Sequence, residues 1–309
     1  MATPSIPNDY SLSTACFGDR LTKIEDQVFT AVAMGFRCLE LGLTEVPVTM
    51  DGLLEAQRET STTLCSMVAG CRDVGRGEMI SWKLASADEG ERQRALNSIR
   101  RHLRLAESWQ VPRLIVRGHQ VEDEDLNRRA GELQARVTKE GLGEDGAEGP
   151  LAGEIRAFVQ EVQEAGQPQV EHLCRGLHEL AKDHPDMRFC LEPGGRLDDI
   201  LGHEAMGWVL DDLDGLTYWH DVGMVHRRER QGLPDQGAWL DRFAGRMEGL
   251  HLQDAAGDEI GLPIGLGEVD FRLVSEYAPK KAQRVVEIGA RHGRAEILSS
   301  VQSLIDLGF

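Results

Sequence analysis

Short apolar runs alternate along the chain with longer stretches in which apolar residues recur every three or four positions. The short runs are typical of β-strands that are buried on both faces, and the longer stretches are typical of amphipathic helices. The resulting order of strand, helix and strand indicates a parallel sheet. The eight runs occupy residues 11–17, 36–41, 63–68, 113–117, 188–192, 216–221, 247–251 and 284–287. Eight such units predict an α/β fold, the (β/α)₈ TIM barrel.

Several helices carry local signals that place their ends. Residues 21–34 have helical spacing, and Gly35 directly after them is a natural helix terminator. Ser86 and Glu89 have the spacing of a capping box, so a helix is expected to begin near them. That helix carries the apolar stripe Leu96, Ile99, Leu103, Ala106 and Trp109. Apolar residues at positions 297, 301, 304 and 305 predict a last helix.

One segment, residues 120–168, breaks this rhythm because it doubles the usual interval between consecutive strands. It is acidic and glycine-rich, and we expect two helical pieces near residues 125–139 and 153–164, joined by a mobile loop. Because the segment follows the end of the fourth strand, it should lie above the mouth of the barrel. Its functional interpretations are a lid or a contact in a homo-oligomer, and the alternative is a solvated insertion.

Length and charge limit the classes of function. The 309 residues suit one barrel domain over residues 1–309, with the insertion inside it. The formal net charge of −18 argues against nucleic acid and anionic membranes as partners, because both require cationic side chains. We expect no signal peptide and no membrane span, because the sequence lacks the continuous apolar stretch that each of them requires. The six cysteines lack metal-ribbon spacing and are interpreted as reduced thiols, which predicts a cytoplasmic protein.

The strongest chemical pattern is a set of metal-binding residue types at the C-terminal ends of the last four strands. They are Glu192, Asp221, His251 and Glu287, separated by 29, 30 and 36 residues. One βα unit has about the same length, roughly 30 residues. Residues spaced in this way occupy the same end of successive parallel strands, and in a barrel that end carries the active site.

Four stretches near these residues resemble a known superfamily. They are Tyr218-Trp-His-Asp-Val-Gly223, Leu250-His-Leu-Gln-Asp254, Gly265-Leu-Gly-Glu-Val-Asp-Phe271 and Val286-Glu287. In these stretches the chain is similar to the xylose-isomerase-like TIM barrels, which include sugar isomerases and epimerases, keto-polyol dehydratases and apurinic-site endonucleases. The resemblance implies that Glu192, Asp221, His251 and Glu287 are the four protein ligands of one divalent ion.

Such a donor set has a definite chemistry. Three carboxylates and one imidazole suit Mn²⁺, Mg²⁺ or Co²⁺, and Zn²⁺ also fits. The ion polarises a carbonyl and stabilises an enediolate, while Glu192 and Glu287 are the natural catalytic acid–base pair. We therefore predict a metal-dependent isomerase or epimerase of a small sugar or keto-polyol, phosphorylated or not. The alternatives are a metal-dependent dehydratase of a keto-polyol and a non-catalytic barrel.

The chain also departs from the superfamily at positions that bear on its reaction. Relatives carry a histidine three residues after the metal-binding aspartate, where this chain has Met224. Residues 258–265 contain no histidine, whereas the endonucleases use one there for an additional zinc ion. These differences argue against an apurinic-site endonuclease. Ketohexose epimerases have an arginine at the position of Gly257, so a ketohexose substrate is not specified.

Further pocket residues are predicted from their positions at or just after strand ends. His226 is a substitute for the missing histidine or a surface residue, and Asp254 orients a ligand or binds substrate. An arginine at these positions holds an anionic group or forms a structural salt bridge. His220 should face the helix layer because side chains alternate along a strand. The substrate-binding candidates are Glu40, Arg117, His119, Arg196, His226 and Asp254, and Arg72 is a further pocket candidate.

Overall fold

The computed structural model describes residues 6–44, 46–70, 72–73, 78–143 and 146–309, without the side chains of residues 72, 73 and 78. Eight parallel strands form its centre: β1 Tyr10–Ser13, β2 Cys38–Leu41, β3 Thr63–Val68, β4 Arg113–Arg117, β5 Arg188–Glu192, β6 Leu216–Asp221, β7 Met247–Leu252 and β8 Gln283–Val286. The barrel is closed because β1 pairs with both β2 and β8, while each other strand pairs with its neighbours in the sequence. The predicted TIM barrel is confirmed.

Helices surround the barrel: α1 Ile24–Met34, α2 Leu53–Thr60, α3 Glu89–Ser108, α4 Glu124–Glu140, α5 Pro150–Asp183, α6 His203–Asp212, α7 Val222–Glu229, α8 Gln236–Phe243, α9 Phe271–Tyr277 and α10 Arg294–Asp306. Gly35 ends α1 as predicted, with a left-handed φ of 109°. Short hairpins follow β3 (Arg72–Asp73 with Glu78–Met79) and β7 (Asp254–Ala256 with Glu259–Leu262). Among the described residues, every helix is too short or too polar to cross a lipid bilayer.

Two predicted element ends were wrong for local reasons. The first strand ends at Ser13, because Thr14–Phe17 forms a 3₁₀ helix whose N-cap is the Ser13 side chain. A short apolar run fits either structure, so periodicity could not distinguish them. The predicted capping box at Ser86 is also wrong. Asp88 caps α3 by accepting a hydrogen bond from the Glu91 amide at 2.8 Å.

The insertion contains the two expected helices, but the second is much longer than predicted. It runs through Pro168 to Asp183, a length of 34 residues. A proline inside a helix removes one backbone hydrogen bond, which disfavours a continuous helix through this position. Buried residues nevertheless continue at helical spacing on both sides of the proline: Ile155, Phe158, Val162, Gly166, Val170, Leu173, Leu177 and Leu180. The packing of this stripe outweighs the local penalty.

Trp219 fills the barrel interior beside His251. The indole is fully buried among the inward-facing side chains of five strands, and its centroid lies 5.3 Å from that of the His251 ring. Gly249 lies two residues before His251, on the same face of β7. A Cβ at Gly249 would lie 2.4 Å from the indole, so the glycine leaves the space that the ring fills.

Gly249→Ala is therefore expected to lower the free energy of unfolding by about 1–3 kcal/mol, since the rigid barrel must accommodate an overpacked interior. Urea unfolding measures the loss. Gly245→Ala is the matched control, because a Cβ there meets no atom within 4 Å, and it should change stability little. Equal losses in the two variants would contradict the proposed packing.

Candidate metal centre

Six ionisable side chains converge inside the barrel at the C-terminal ends of its strands. Alternation along each strand turns them toward the barrel axis. Four of them are fully buried, while the side chains of Arg117 and Glu287 are 14% and 13% exposed to solvent. The six are Glu40 on β2, Arg117 on β4, Glu192 on β5, Asp221 on β6, His251 on β7 and Glu287 directly after β8. The structure thus brings all four predicted metal ligands together, with two of the predicted substrate-binding residues.

The His251 ring is the centre of this cluster. Its Nδ1 lies 2.5 Å from Glu192 Oε1 and 4.0 Å from Asp221 Oδ2. Its Nε2 lies 2.9 Å from Glu40 Oε1 and 3.2 Å from Glu287 Oε2. Carboxylates only accept hydrogen bonds, so the ring donates from both nitrogens and is positively charged. The neighbouring carboxylates accordingly hold the pKa of His251 well above its ordinary value, although burial opposes this shift.

Arg117 supplies the second positive charge. Its Nε lies 3.2 Å from Glu192 Oε2, and its Nη2 lies 3.3 Å from Glu287 Oε1. The guanidinium therefore bridges the two glutamates that were predicted to form the acid–base pair. Sequence position alone suggested that Arg117 binds substrate, whereas the structure shows it paired within the cluster.

Two polar residues that were not predicted hold the carboxylates in place. The Gln253 amide donates to both oxygens of Asp221, at 2.7 and 2.9 Å, and the Met224 backbone amide donates to Asp221 Oδ1 at 2.9 Å. The Ser66 hydroxyl donates to Glu40 Oε2 at 2.7 Å. Gln253 follows His251 by two residues and so faces the same side, a signal that alternation could have revealed.

The cluster fits a divalent cation in its chemistry and in its charge. One imidazole and several carboxylates, within 4.8 Å of one another, form the two groups Glu40–His251–Glu287 and Glu192–Asp221–His251. The cluster contains four carboxyl groups and only two cationic groups, Arg117 and a protonated His251, so acidic groups are in excess inside the barrel. In addition, Oε2 of Glu192 and Oε2 of Glu287 are buried and accept no hydrogen bond. Each of these two oxygens lies 3.2 Å from a cationic nitrogen, of Arg117 or His251, without a hydrogen bond. A buried carboxylate oxygen without a hydrogen bond is costly, and a bound divalent cation would satisfy it.

The pKa values of the carboxyl groups differ within the cluster. Burial raises the pKa of Asp221 to about 7, and the charge of Glu192 adds to the rise. Burial also raises the pKa of Glu287, although His251 and Arg117 oppose it. Burial acts in the same direction on Glu192, but Arg117 and His251 outweigh it and lower the pKa below its ordinary value.

The other four predicted substrate-binding residues lie outside the cluster. Arg196 forms a two-point ion pair with Asp198, both bonds at 2.8 Å. His226 lies on α7, with its Nε2 3.7 Å from Glu268 Oε2. His119 is fully buried, and its Nδ1 contacts the Trp82 carbonyl at 3.0 Å. Arg196, His226 and His119 therefore contact groups that do not belong to the cluster.

Asp254 organises a loop. Its carboxylate accepts hydrogen bonds from the backbone amides of Ala255, Gly265, Gly267 and Val269, at 2.8 to 3.1 Å. A Cβ at Gly267 would lie 2.3 Å from Asp254 Oδ1, which explains the glycine at that position. The oxygens of Asp254 are thus committed to the segment that leads toward α9.

Two further expectations concern the neighbours of the site. His220 faces the helix layer as predicted, where its Nε2 contacts Gln236 of α8 at 2.8 Å. Met224 lies at the start of α7, and its sulfur occupies the space that a Cβ on Gly195 would need. Arg72 was a pocket candidate, and its side chain lies outside the described part of the chain.

His119 should make the fold sensitive to acid. Burial lowers its pKa from 6.5 to about 4, so the unfolded chain binds a proton more readily than the folded chain. The neutral, buried His119 therefore costs the folded state nothing above pH 6.5. As the pH falls from 6.5 toward 4, the free energy of unfolding should decrease by up to ~3 kcal/mol, because only the unfolded chain binds the proton. His119→Gln should remove this part of the pH dependence. Urea unfolding of both proteins at pH 7 and pH 4 measures the difference, and identical pH slopes would contradict the assignment.

The insertion contacts the loops at the mouth of the barrel. Asp258, in the hairpin after β7, accepts hydrogen bonds from Gln134 of α4 and from Arg227 of α7, both at 2.5 Å. Gln231 donates to Gln134 at 2.8 Å. A cavity of about 900 Å³ lies between the insertion and the end of α7. These contacts place the insertion on the face where it was expected, where a lid or an oligomer contact would lie.

Comparison of the sequence with models of known protein families and with curated proteins gives no match. Solved structures match almost the whole chain. An AP endonuclease of family 2 from Brucella melitensis has a TM-score of 0.63 at 12% identity, over 95% of this chain and 98% of its own. A D-psicose 3-epimerase from Clostridium cellulolyticum H10, solved with D-tagatose, has a TM-score of 0.58 at 13% identity, over 96% of each chain.

A xylose isomerase-like TIM barrel protein from Mycobacterium smegmatis, in complex with magnesium, has a TM-score of 0.53 at 11% identity. That match covers 96% of this chain and 95% of the other. Similarity at such identities establishes the fold, and function must be argued from the site. The chain has the fold of the xylose-isomerase-like TIM barrels, as its strand-end motifs predicted.

Proposed function

We propose that this protein is a divalent-metal-dependent isomerase or epimerase of a small sugar or keto-polyol. The observation that carries the proposal is the convergence of Glu192, Asp221 and Glu287 on His251, with two buried carboxylate oxygens that accept no hydrogen bond. The C-terminal end of a barrel is where such enzymes perform their chemistry. The epimerase and the magnesium-containing barrel that share this fold add support.

The ion would be held by the four predicted ligands, Glu192, Asp221, His251 and Glu287. This donor set suits Mn²⁺, Mg²⁺, Co²⁺ or Zn²⁺. When bound, the ion would polarise the substrate carbonyl and stabilise the negative charge of an enediolate. His251 must give up one of its two ring protons to become a ligand, so metal binding should release a proton.

In this proposal the two glutamates move the substrate proton. Glu192 and Glu287 approach His251 from different strands and contact different ring nitrogens. One carboxylate removes the proton from the carbon next to the carbonyl, and the C–H electron pair enters the enediolate. The other, as a carboxylic acid, returns a proton. Return to the opposite face of the same carbon inverts it. Return to the former carbonyl carbon moves the carbonyl group, and the proton of the neighbouring hydroxyl passes to the former carbonyl oxygen.

Charge favours a small carbohydrate over nucleic acid as the substrate. The chain carries a net charge of −18, and the cluster keeps an excess of carboxylates over cationic groups. A polyanionic duplex would be repelled by such a surface. A purified, metal-loaded protein should therefore leave a duplex with an abasic site intact.

Solvent exchange tests the proposal. The metal-loaded protein is incubated in deuterated water with a panel of sugars, keto-polyols and their phosphates, and deuterium at the α-carbon is followed by NMR. We expect an epimer or isomer that carries solvent deuterium. Exchange followed by loss of water would identify a dehydratase, and product without label would indicate a hydride shift. Absence of turnover and exchange across the panel would contradict an enzymatic role for the centre.

A further inference from the structure

We propose a second binding site at the mouth of the barrel, separate from the metal centre, for a phosphate group, either as inorganic phosphate or on a small phosphate monoester. The site is a cavity of about 410 Å³ between α4 of the insertion and the segments that follow β5, β6 and β7. Small-molecule sites commonly have volumes of roughly 300–1,000 Å³. The same three strands carry Glu192, Asp221 and His251, so the cavity lies on the active face of the barrel.

The lining of this cavity is cationic, although the chain as a whole is acidic. The chain contains 34 Lys and Arg residues and 52 Asp and Glu residues. The described lining reverses this ratio, because it combines Lys139, Arg196 and Arg227 with two carboxylates, Asp198 and Asp258. A local excess of positive charge in a concave site raises the concentration of small anions there.

Each aspartate orients one arginine and leaves part of its guanidinium free. The buried carboxylate of Asp198 accepts hydrogen bonds from Nε and Nη2 of Arg196, both at 2.8 Å. Asp258 accepts a hydrogen bond from Nε of Arg227. Within the described chain, Nη1 of Arg196 and both Nη groups of Arg227 therefore keep their hydrogens for another acceptor. A guanidinium held by its Nε edge presents a planar fork that matches the oxygens of a phosphate.

The donors that remain can be reached from solvent. The side chain of Arg196 is 55% exposed, and that of Arg227 is 22% exposed with neither Nη group buried. Lys139, in the last turn of α4, is exposed and forms no ion pair with the described residues. A phosphate group in the cavity would thus meet three cationic side chains without first breaking an ion pair.

Calorimetric titration of the full chain without metal ions tests the site, because no bound ion can then attract the phosphate to the metal centre. The probes are D-ribose 5-phosphate, inorganic phosphate and D-ribose. We expect saturable binding of one phosphate-bearing probe per chain and at least tenfold weaker binding of ribose. Tighter binding of ribose 5-phosphate than of inorganic phosphate would assign the site to monoesters, and equal binding would assign it to the free ion.

Three variants and one control test the location. Arg196→Gln and Arg227→Gln should each weaken binding of the phosphate probes about tenfold, as expected for a lost hydrogen bond between charged groups. Lys139→Gln should also weaken it, and this exposed position leaves the fold intact. Arg230→Gln is the control, because Arg230 directly follows α7, has a side chain that is 55% exposed, and lies outside the cavity.

The control removes the same charge as the other variants and should bind the probes like the wild type. The proposal is overturned if the wild type binds neither phosphate probe saturably, or if ribose binds as tightly as its phosphate. It is also overturned if the three cavity variants bind like the wild type or lose no more affinity than Arg230→Gln. The test measures binding and not turnover, so its failure would leave the proposed isomerase or epimerase reaction untouched.

Discussion

Glu287→Gln is expected to abolish exchange of the substrate α-hydrogen with solvent and to lower turnover by about 10²–10⁴-fold, the usual contribution of a general acid–base group. The amide has nearly the shape of the carboxyl group and keeps an oxygen for the ion, but it cannot accept a proton. Its neighbours Arg117 and His251 lie 3.3 and 3.2 Å away, so the side chain should stay in position. Deuterium incorporation followed by NMR measures the loss.

The matched control for this variant is Glu248→Gln. Glu248 lies near the start of β7 and pairs with Arg113 and Arg188, at 2.8 and 2.6 Å, at the end of the barrel opposite the cluster. The control should retain exchange. Metal content is measured in both variants, because loss of the ion alone would also stop the reaction. Wild-type exchange in Glu287→Gln, with metal bound, would show that the acid–base assignment is wrong.

His251→Gln should produce the largest loss of stability. The imidazolium lies within 4.0 Å of four carboxylates, all buried or nearly so. Glutamine cannot carry the positive charge, so Arg117 would remain as the only cation of the described cluster. Removing one partner of a buried ion pair typically costs ~3–5 kcal/mol. Urea unfolding of the metal-free proteins at neutral pH measures the loss, and metal binding should be lost in the same variant.

His184→Gln serves as the comparison. His184 also contacts a glutamate, since its Nδ1 lies 2.8 Å from Glu107 Oε1, but the side chain of Glu107 is 55% exposed to solvent. Surface pairs contribute at most about 1 kcal/mol, so this variant should unfold almost like the wild type. If His251→Gln were as stable as His184→Gln, the carboxylates of the cluster would not depend on the imidazolium.

The strands and the cluster could be predicted from the sequence because both follow from alternation. A buried parallel strand is a short apolar run, and its last inward residue lies at the active end of the barrel. Glu192, Asp221, His251 and Glu287 satisfy this rule, and the structure places them around one ring. Glu40 and Arg117 were identified by the same rule, but as substrate-binding residues and not as members of the cluster.

What could not be predicted depends on contacts between distant segments. The helix through Pro168 is stabilised by its buried stripe, and the role of Asp254 is set by four backbone amides that come together only after folding. Gln253 lies in one of the strand-end stretches and Ser66 lies within β3, but neither has a metal-binding side chain, and their roles depend on the carboxylates to which they donate. Local propensity contains no information on such partners.

The most direct test of the proposed metal centre is a metal titration of protein from which bound ions have been removed. Mn²⁺, Mg²⁺, Co²⁺ and Zn²⁺ are added to the wild type and to Asp221→Asn, and binding is followed by calorimetry together with proton release. We expect one ion per chain, release of a proton from His251, and much weaker binding in the variant. Absence of saturable binding of any of the four ions, or stoichiometric binding of two or three zinc ions, would contradict the proposed centre.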